Sequence, residues 1–447
     1  MNKIESLFVS KVGVSFFNVF VLLISLFFLW GFALGLLDIL NRHLQEVIDP
    51  NPLKYALVLL AYYAGYLLMP IPASLFIQKY GYKPSILLGL LFYAVGAFLF
   101  IPISHFQSFP LFILALFFIA LGMAALETGV NLYTTLVGEN RYSTFRLTLA
   151  QSFTAAGWFF GPIVGSSILV DIKNLKHNEF AVVGVPYVGI GVLVLFVAIL
   201  ILLSKLPLIR ATVYNKPSNS SDALQINRNA IFQHRHFTGA VIAMAFCIIA
   251  QISLFGFFIQ YLFDLFKGLE HQSVLGKEYL MKVIQFIGHT NAMNDQLYLS
   301  VASSIFTFAG FGLFAFGRFL GSFILINLKP NKVLVVTALS SIFLTIMMAS
   351  NLGVLSFIAI CLMTLSMSVM FPIIFTLGIR KMGQFTFQAS AFLVMAIASG
   401  SFYYILLYLF PNFSAINIGI GLLLISFLVI LNYGLRGYKI KNNAALD

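Results

Sequence analysis

The stretch Leu29-Trp-Gly-Phe-Ala-Leu-Gly-Leu-Leu-Asp-Ile-Leu40 sets the carboxylate of Asp38 inside an apolar run long enough to cross a membrane. An ionised aspartate in hydrocarbon costs roughly 2.5–3.5 kcal/mol on insertion scales, so such acids face a bundle interior or a watery cavity and serve a function there. Outward from this stretch, apolar runs of about 20 residues recur along the chain, the length an α-helix needs to cross about 30 Å of hydrocarbon. A spanning barrel would instead show weak period-two alternation.

Composition agrees. Of 447 residues, 60% are hydrophobic and 9% charged, and the mean hydropathy is +0.98. Such a chain has too little charge to cover a water-facing surface. The predicted fold is an all-α polytopic membrane protein. Twelve spans are read near residues 16–40, 55–78, 85–102, 109–137, 145–170, 184–206, 238–266, 297–325, 332–350, 353–379, 386–410 and 415–435. The longest polar interval, 207–237, carries the Ser218-Asn219-Ser220-Ser221 cluster and separates a six-helix half at 1–206 from a second at 238–447. A repeat supports the division. Ala73–Pro84 and Gly321–Lys332 each end a span in a short, dibasic, Pro-bearing turn at the same place in its set of six. Two parallel six-helix halves with a site between them at mid-membrane is the architecture of the major facilitator fold.

The net charge of +12 sits on basic residues scattered singly at the ends of apolar runs, which sets orientation and leaves no patch for nucleic acid. Alternate sides receive 18 and 7 Lys and Arg, with Arg318 inside a span, so both termini and the linker are expected in the cytoplasm and the protein in the cell's inner (plasma) membrane. Segment 267–296 is then an external excursion. Cys247 and Cys361 have no ligand-spaced neighbours, and the seven histidines fall in loops or at span ends, so no metal site is expected. No phosphate loop is present, and nothing in the chain looks catalytic.

Two carboxylates lie well inside spans, Asp38 and Glu127. Asn131 stands one turn beyond Glu127 on the same face. Burial raises a carboxyl's affinity for a proton, so such a group can load and unload as its access changes, which proton coupling requires. The structural alternative for Asp38 is an ion pair with Arg42 at i+4. Gln151, Gln251, Gln260 and the tyrosines Tyr62, Tyr63 and Tyr66 supply amides and rings of the kind that hold a sugar or polyol, although amides also bind membrane helices to one another. Gly157, Gly161 and Gly165, with Pro162, have the spacing of close helix packing. A similar glycine-proline pattern in facilitator antiporters keeps an exchanger in view. Arg146 and Arg318 are assigned to gate or cytoplasmic-loop interactions.

These residues occur in passages that resemble the fucose permease family of sugar:proton symporters. The passages include Phe27–Ala33 with Asp38, Tyr63–Ala73, Lys79–Pro84, Ala125–Thr128 with Asn131, Phe145–Phe153, Gly317–Gly321 and Pro372–Ile379. They follow the family's order over nearly the whole chain. The resemblance implies that Asp38 and Glu127 are the two membrane carboxylates of proton handling and sugar binding, and that Gln151 is a sugar-facing amide. The chain departs from the pattern at Leu34, Gly35, Leu37, Leu132, Met370-Phe371 and around Ser399–Tyr404, and several of these positions are more apolar than in the fucose carrier.

The resulting expectation is a monomeric symporter in the lipid bilayer. It would import a monosaccharide or similar small polar solute with protons by alternating access, with no cofactor beyond the proton gradient. A sodium-coupled sugar carrier, a metabolite exchanger and a non-transporting solute sensor are the alternatives.

Overall fold

The computed structural model describes residues 5–8, 16–48, 52–106, 108–174, 179–204, 228–271, 276–288 and 294–440. These residues form twelve spans. The first half comprises α1 (Phe17–Ile48), α2 (Pro52–Leu68 continued by Pro70–Tyr80), α3 (Tyr82–Phe98 continued by Phe100–Phe106), α4 (Phe109–Leu136), α5 (Ser143–Asn174) and α6 (Glu179–Leu203). The second comprises α7 (Arg235–His271), α8 (Asp295–Asn327), α9 (Pro330–Ala349), α10 (Val354–Gly378), α11 (Thr386–Leu409) and α12 (Ala415–Asn432). Eleven described helices are individually long and apolar enough to cross a membrane, and the 32-residue α5 completes the set. Most of the expected linker, 205–227, lies outside the described residues.

The pairing of helices repeats with a shift of six. Helix α1 packs on α5, α2 on α4, α3 on α4 and α3 on α6; likewise α7 packs on α11, α8 on α10, α9 on α10 and α9 on α12. Across the seam, α5 meets α8 and α2 meets α11, the same pairing seen from either half. That is a pseudo-two-fold arrangement, and the sequence repeat is its trace.

Small residues set the closest approach. A Cβ on Gly161 would stand 2.6 Å from the Phe32 carbonyl oxygen, and one on Gly35 2.7 Å from Pro162 Cδ, so α1 and α5 touch backbone to backbone. The glycine spacing in α5 therefore serves helix packing.

Several spans are interrupted. Helix α2 breaks at Met69, ahead of Pro70, where the proline ring removes a donor and crowds the preceding turn. Helix α8 contains a π-helical segment, Phe306–Gly312; α10 breaks at Ser368; α11 passes through a 3-10 segment at Ala396–Gly400. Such irregular backbone inside a membrane is tolerated where protein or a cavity surrounds it. The 267–296 segment contains a helix, Lys277–Gly288, with Leu280 and Ile284 buried. Its 12 residues span about 18 Å, short of a crossing.

Candidate functional site

Four polar side chains reach one depth. Glu127 stands nine residues before the end of α4, Gln151 eight after the start of α5, and Arg318 nine before the end of α8. At 1.5 Å per residue these are about 12–14 Å from the helix ends, close to the middle of a 30 Å hydrocarbon core. Asn131, one turn beyond Glu127, completes the layer. All four are buried.

The layer is joined edge to edge. Gln151 Nε2 donates to Asn131 Oδ1 at 3.2 Å. The Tyr66 hydroxyl of α2 is hydrogen-bonded to the Glu127 carboxyl, and Tyr62 is bonded to Tyr66. From the other half, Arg318 Nη1 donates to the Gln151 carbonyl at 3.2 Å, and Arg318 Nε donates to the Ser368 carbonyl, at the break in α10, at 2.8 Å.

What the layer leaves unsatisfied defines its chemistry. Trp30 Nε1, Glu127 Oε2, Asn131 Nδ2, Gln151 Oε1 and Thr154 Oγ1 are buried without a hydrogen-bond partner. Buried polar atoms in native proteins are satisfied with few exceptions, so five on the mutually packed α1, α4 and α5 mark a place built for a polar ligand. They offer donors (an indole N–H, an amide N–H) together with acceptors (an amide oxygen, a carboxyl oxygen) and a hydroxyl able to do both, the mixture a polyhydroxylated molecule matches.

The remaining expected residues divide. Tyr63 is buried at the seam, and its hydroxyl would lie 3.0 Å from a Cβ on Gly400 of α11, beside Ile248 and Ile252 of α7. Gln251 is buried on that stretch of α7. Gln260 is exposed and its Nε2 donates to Asp264 Oδ1 at 2.7 Å, so it does not join the layer. Arg146 is fully buried, but its partners are the carbonyls of Thr134, Thr135, Glu139 and Leu7, all in the first half. It ties down the end of α4 and the following turn and does not bridge the seam. The side chains of Asp38 and Arg42 lie outside the described residues. The α1 backbone carries Asp38 twenty-one residues beyond Phe17, about 32 Å along the helix and so near the opposite membrane face.

Trp30 and Thr154 were not anticipated from the sequence. Thr154 had a signal: it lies three residues after Gln151, on the same face of α5. Nor were the hydroxyl bridges. Thr144 and Thr376 hydroxyls meet at 3.0 Å, and Ser390 Oγ donates to the Thr128 carbonyl at 2.9 Å. With Arg318 to Gln151, these bonds join the halves, at mid-depth through Gln151 and Thr128 and at the end of α10 and start of α5 through Thr144 and Thr376. The end marked by Thr144 and Thr376 is on the side where α1 begins.

A seam between two pseudo-symmetric helical halves, joined by side-chain hydrogen bonds and holding a partly unsatisfied polar layer at mid-depth, defines a membrane transporter. The Major Facilitator Superfamily model matches residues 14–403, and the chain belongs to that superfamily, within its fucose-permease-like branch of sugar:proton symporters. It is 32% identical over 399 residues to the L-fucose-proton symporter of Escherichia coli strain K12, covering 85% of this chain and 84% of that protein. A putative glucose/galactose transporter of Helicobacter pylori is 28% identical over 435 residues, covering 94% of this chain and 97% of that protein. Among solved structures, the superfamily transporter FucP in the outward conformation matches with a TM-score of 0.76 at 29% identity, covering 94% of this chain and 99% of that one.

Proposed function

We propose that this protein imports a monosaccharide together with a proton by alternating access, with halves 1–206 and 238–447 rocking about the seam on either side of linker 207–237. The observation that carries the reading is the set of five unpaired buried polar atoms on α1, α4 and α5, in a chain similar to an L-fucose-proton symporter and a putative glucose/galactose transporter. Glu127, with Tyr66 on its carboxyl and Oε2 unpaired, is the proton carrier of the layer. Asp38, about one leaflet away along α1, takes up the proton from the opposite side. Gln151, Asn131, Thr154 and Trp30 hold the hydroxyls of the sugar, with Tyr63 and Gln251 closing on it from the seam.

The Lys and Arg distribution puts the start of α1 in the cytoplasm. The Thr144–Thr376 bridge then lies at the cytoplasmic end of the seam. The test is uptake of radiolabelled L-fucose, D-galactose and D-glucose into proteoliposomes under an imposed pH gradient, with and without sodium. The expected result is accumulation of at least one of these sugars driven by the pH gradient and indifferent to sodium. Accumulation that follows a sodium gradient alone would reassign the coupling ion.

A further inference from the structure

We propose that Trp158 and Phe255 form an aromatic lid across the seam that sets the size of the sugar, admitting one ring and excluding two. The proposal rests on the reading of the protein as a sugar symporter. Trp158 is on α5, four residues after Thr154 and seven after Gln151, so it lies on the same face as both. Phe255 is on α7, four residues after Gln251, and shares its face in the same way. Each helix thus carries an amide with a ring beyond it. The two rings meet across the seam, with centroids 6.5 Å apart and planes at 84°. Rings of α8 hold them there. The indole stacks on Phe314 at 5.9 Å and meets the edge of Phe311 at 6.4 Å, and Phe255 packs on the same two rings at 5.7 and 5.4 Å. Phe311 belongs to the π-helical segment of α8, a widened turn of a kind frequent at functional sites.

A ring whose role is packing alone is sealed, as Phe314 is. Trp158 and Phe255 are only half-buried, so each keeps surface that no protein atom covers. Along α5 the lid stands about 6 Å beyond Thr154 and about 10 Å beyond Gln151, which leaves depth for one sugar ring between the amide and the indole. The unpaired Gln151 Oε1 and Thr154 Oγ1 belong to that interval. A pyranose has hydroxyls around its rim and a face of C–H groups. The hydroxyls go to the polar atoms, and the C–H face packs on the aromatic surface above them. A second ring linked to the first would have to take the place of the indole, and exclusion by such a clash is one of the two routes to specificity. Because each half supplies one ring of the pair, rocking of the halves parts them. The sugar passes on that side only when they are apart.

The test measures competition against uptake of labelled L-fucose and D-galactose in proteoliposomes, with the unlabelled monosaccharides, lactose and a fucosyl-galactose disaccharide as competitors. Native protein, W158A, W158L, W158F and F255A are compared, and the folding of each is checked by its melting temperature. Native protein is expected to bind the disaccharide about a hundredfold more weakly than the transported monosaccharide. In W158A that gap is expected to narrow to about tenfold or less. The disaccharide gains room, while the monosaccharide loses about two- to tenfold from the missing aromatic contact. W158L, which keeps apolar packing, is expected to narrow the gap to a smaller degree. F255A is expected to narrow it from the other half, and W158F, which keeps a ring, to stay close to native. Tighter binding of a larger ligand is a gain that loss of packing alone does not produce.

Native protein that binds the disaccharide as well as the monosaccharide overturns the inference. So do folded W158A and F255A proteins that keep the native gap, or that lose both ligands in equal measure, the behaviour of rings that only hold the helices together. Where W158A does not fold, W158L and F255A decide by the same criterion. Native protein that takes up neither monosaccharide contradicts the functional reading instead, and the native arm of the experiment shows which has failed.

Discussion

The two halves share one plan of helix pairing but divide the chemistry unequally. Glu127, Asn131, Gln151, Thr154 and Trp30 all belong to the first half, on α1, α4 and α5. At the same depth the second half contributes one guanidinium and carbonyls freed by the break in α10, and about 10 Å further along α5 rings such as Phe255, Phe311 and Phe314 packed around Trp158. On the proposed function, the same backbone template carries the binding groups in one half and few of them in the other. Polar atoms are concentrated where a sugar is held on that reading, while the other half presents a mainly apolar surface. Irregular segments occur in both halves, at Met69 of α2 in the first and at the π-helical turn of α8, the break in α10 and the 3-10 segment of α11 in the second.

The sharpest way to break this comparison is to remove the proposed proton carrier, Glu127, from the first half. Glu127→Gln keeps the shape and a donor but has no proton to release; accumulation of sugar under a pH gradient is expected to fall about a hundredfold, while exchange persists, measured in proteoliposomes. Next in size is the binding surface. Gln151→Ala or Thr154→Val is expected to weaken sugar binding about tenfold each, a loss of about 1.4 kcal/mol, read by calorimetry or substrate protection from heat. The closing contacts come third. Thr376→Val removes one hydroxyl of the Thr144–Thr376 bridge, worth about 1 kcal/mol, and is expected to shift the open-to-closed ratio about fivefold toward the cytoplasm-open state, read by spin-label distances across the seam. Smallest is Gln260→Ala, expected to leave transport within twofold, because that amide is exposed and bonded to Asp264.

Much of this was legible in the sequence for a physical reason. An acid within an apolar run is anomalous in hydrocarbon, so Glu127 and Asp38 stood out, Asn131 followed from its place one turn beyond Glu127, and Gln151 from being an amide within a span. The twelve spans were legible from length and hydropathy alone. The two α7 amides show the limit of that reading. Gln251 and Gln260 are nine residues apart, which at about 100° per residue places them on opposite faces of the helix. Only one could face the seam, and helical phase alone does not say which. Arg146 was indistinguishable from a gate residue until the four carbonyls that hold it were located. The Thr144–Thr376 bridge joins hydroxyls 232 residues apart that no local pattern marks. Trp30 was hidden by its neighbours, since an aromatic residue in an apolar run is ordinary until its N–H is found buried and alone.

The central claim is that Glu127 carries the proton that drives sugar across the seam. The most direct measurement is sugar-induced alkalinisation outside proteoliposomes, in the absence of sodium, for native protein and Glu127→Gln side by side. The native protein is expected to take up protons with the sugar, and the variant to move none while still exchanging sugar. Proton uptake that survives in Glu127→Gln would contradict the account.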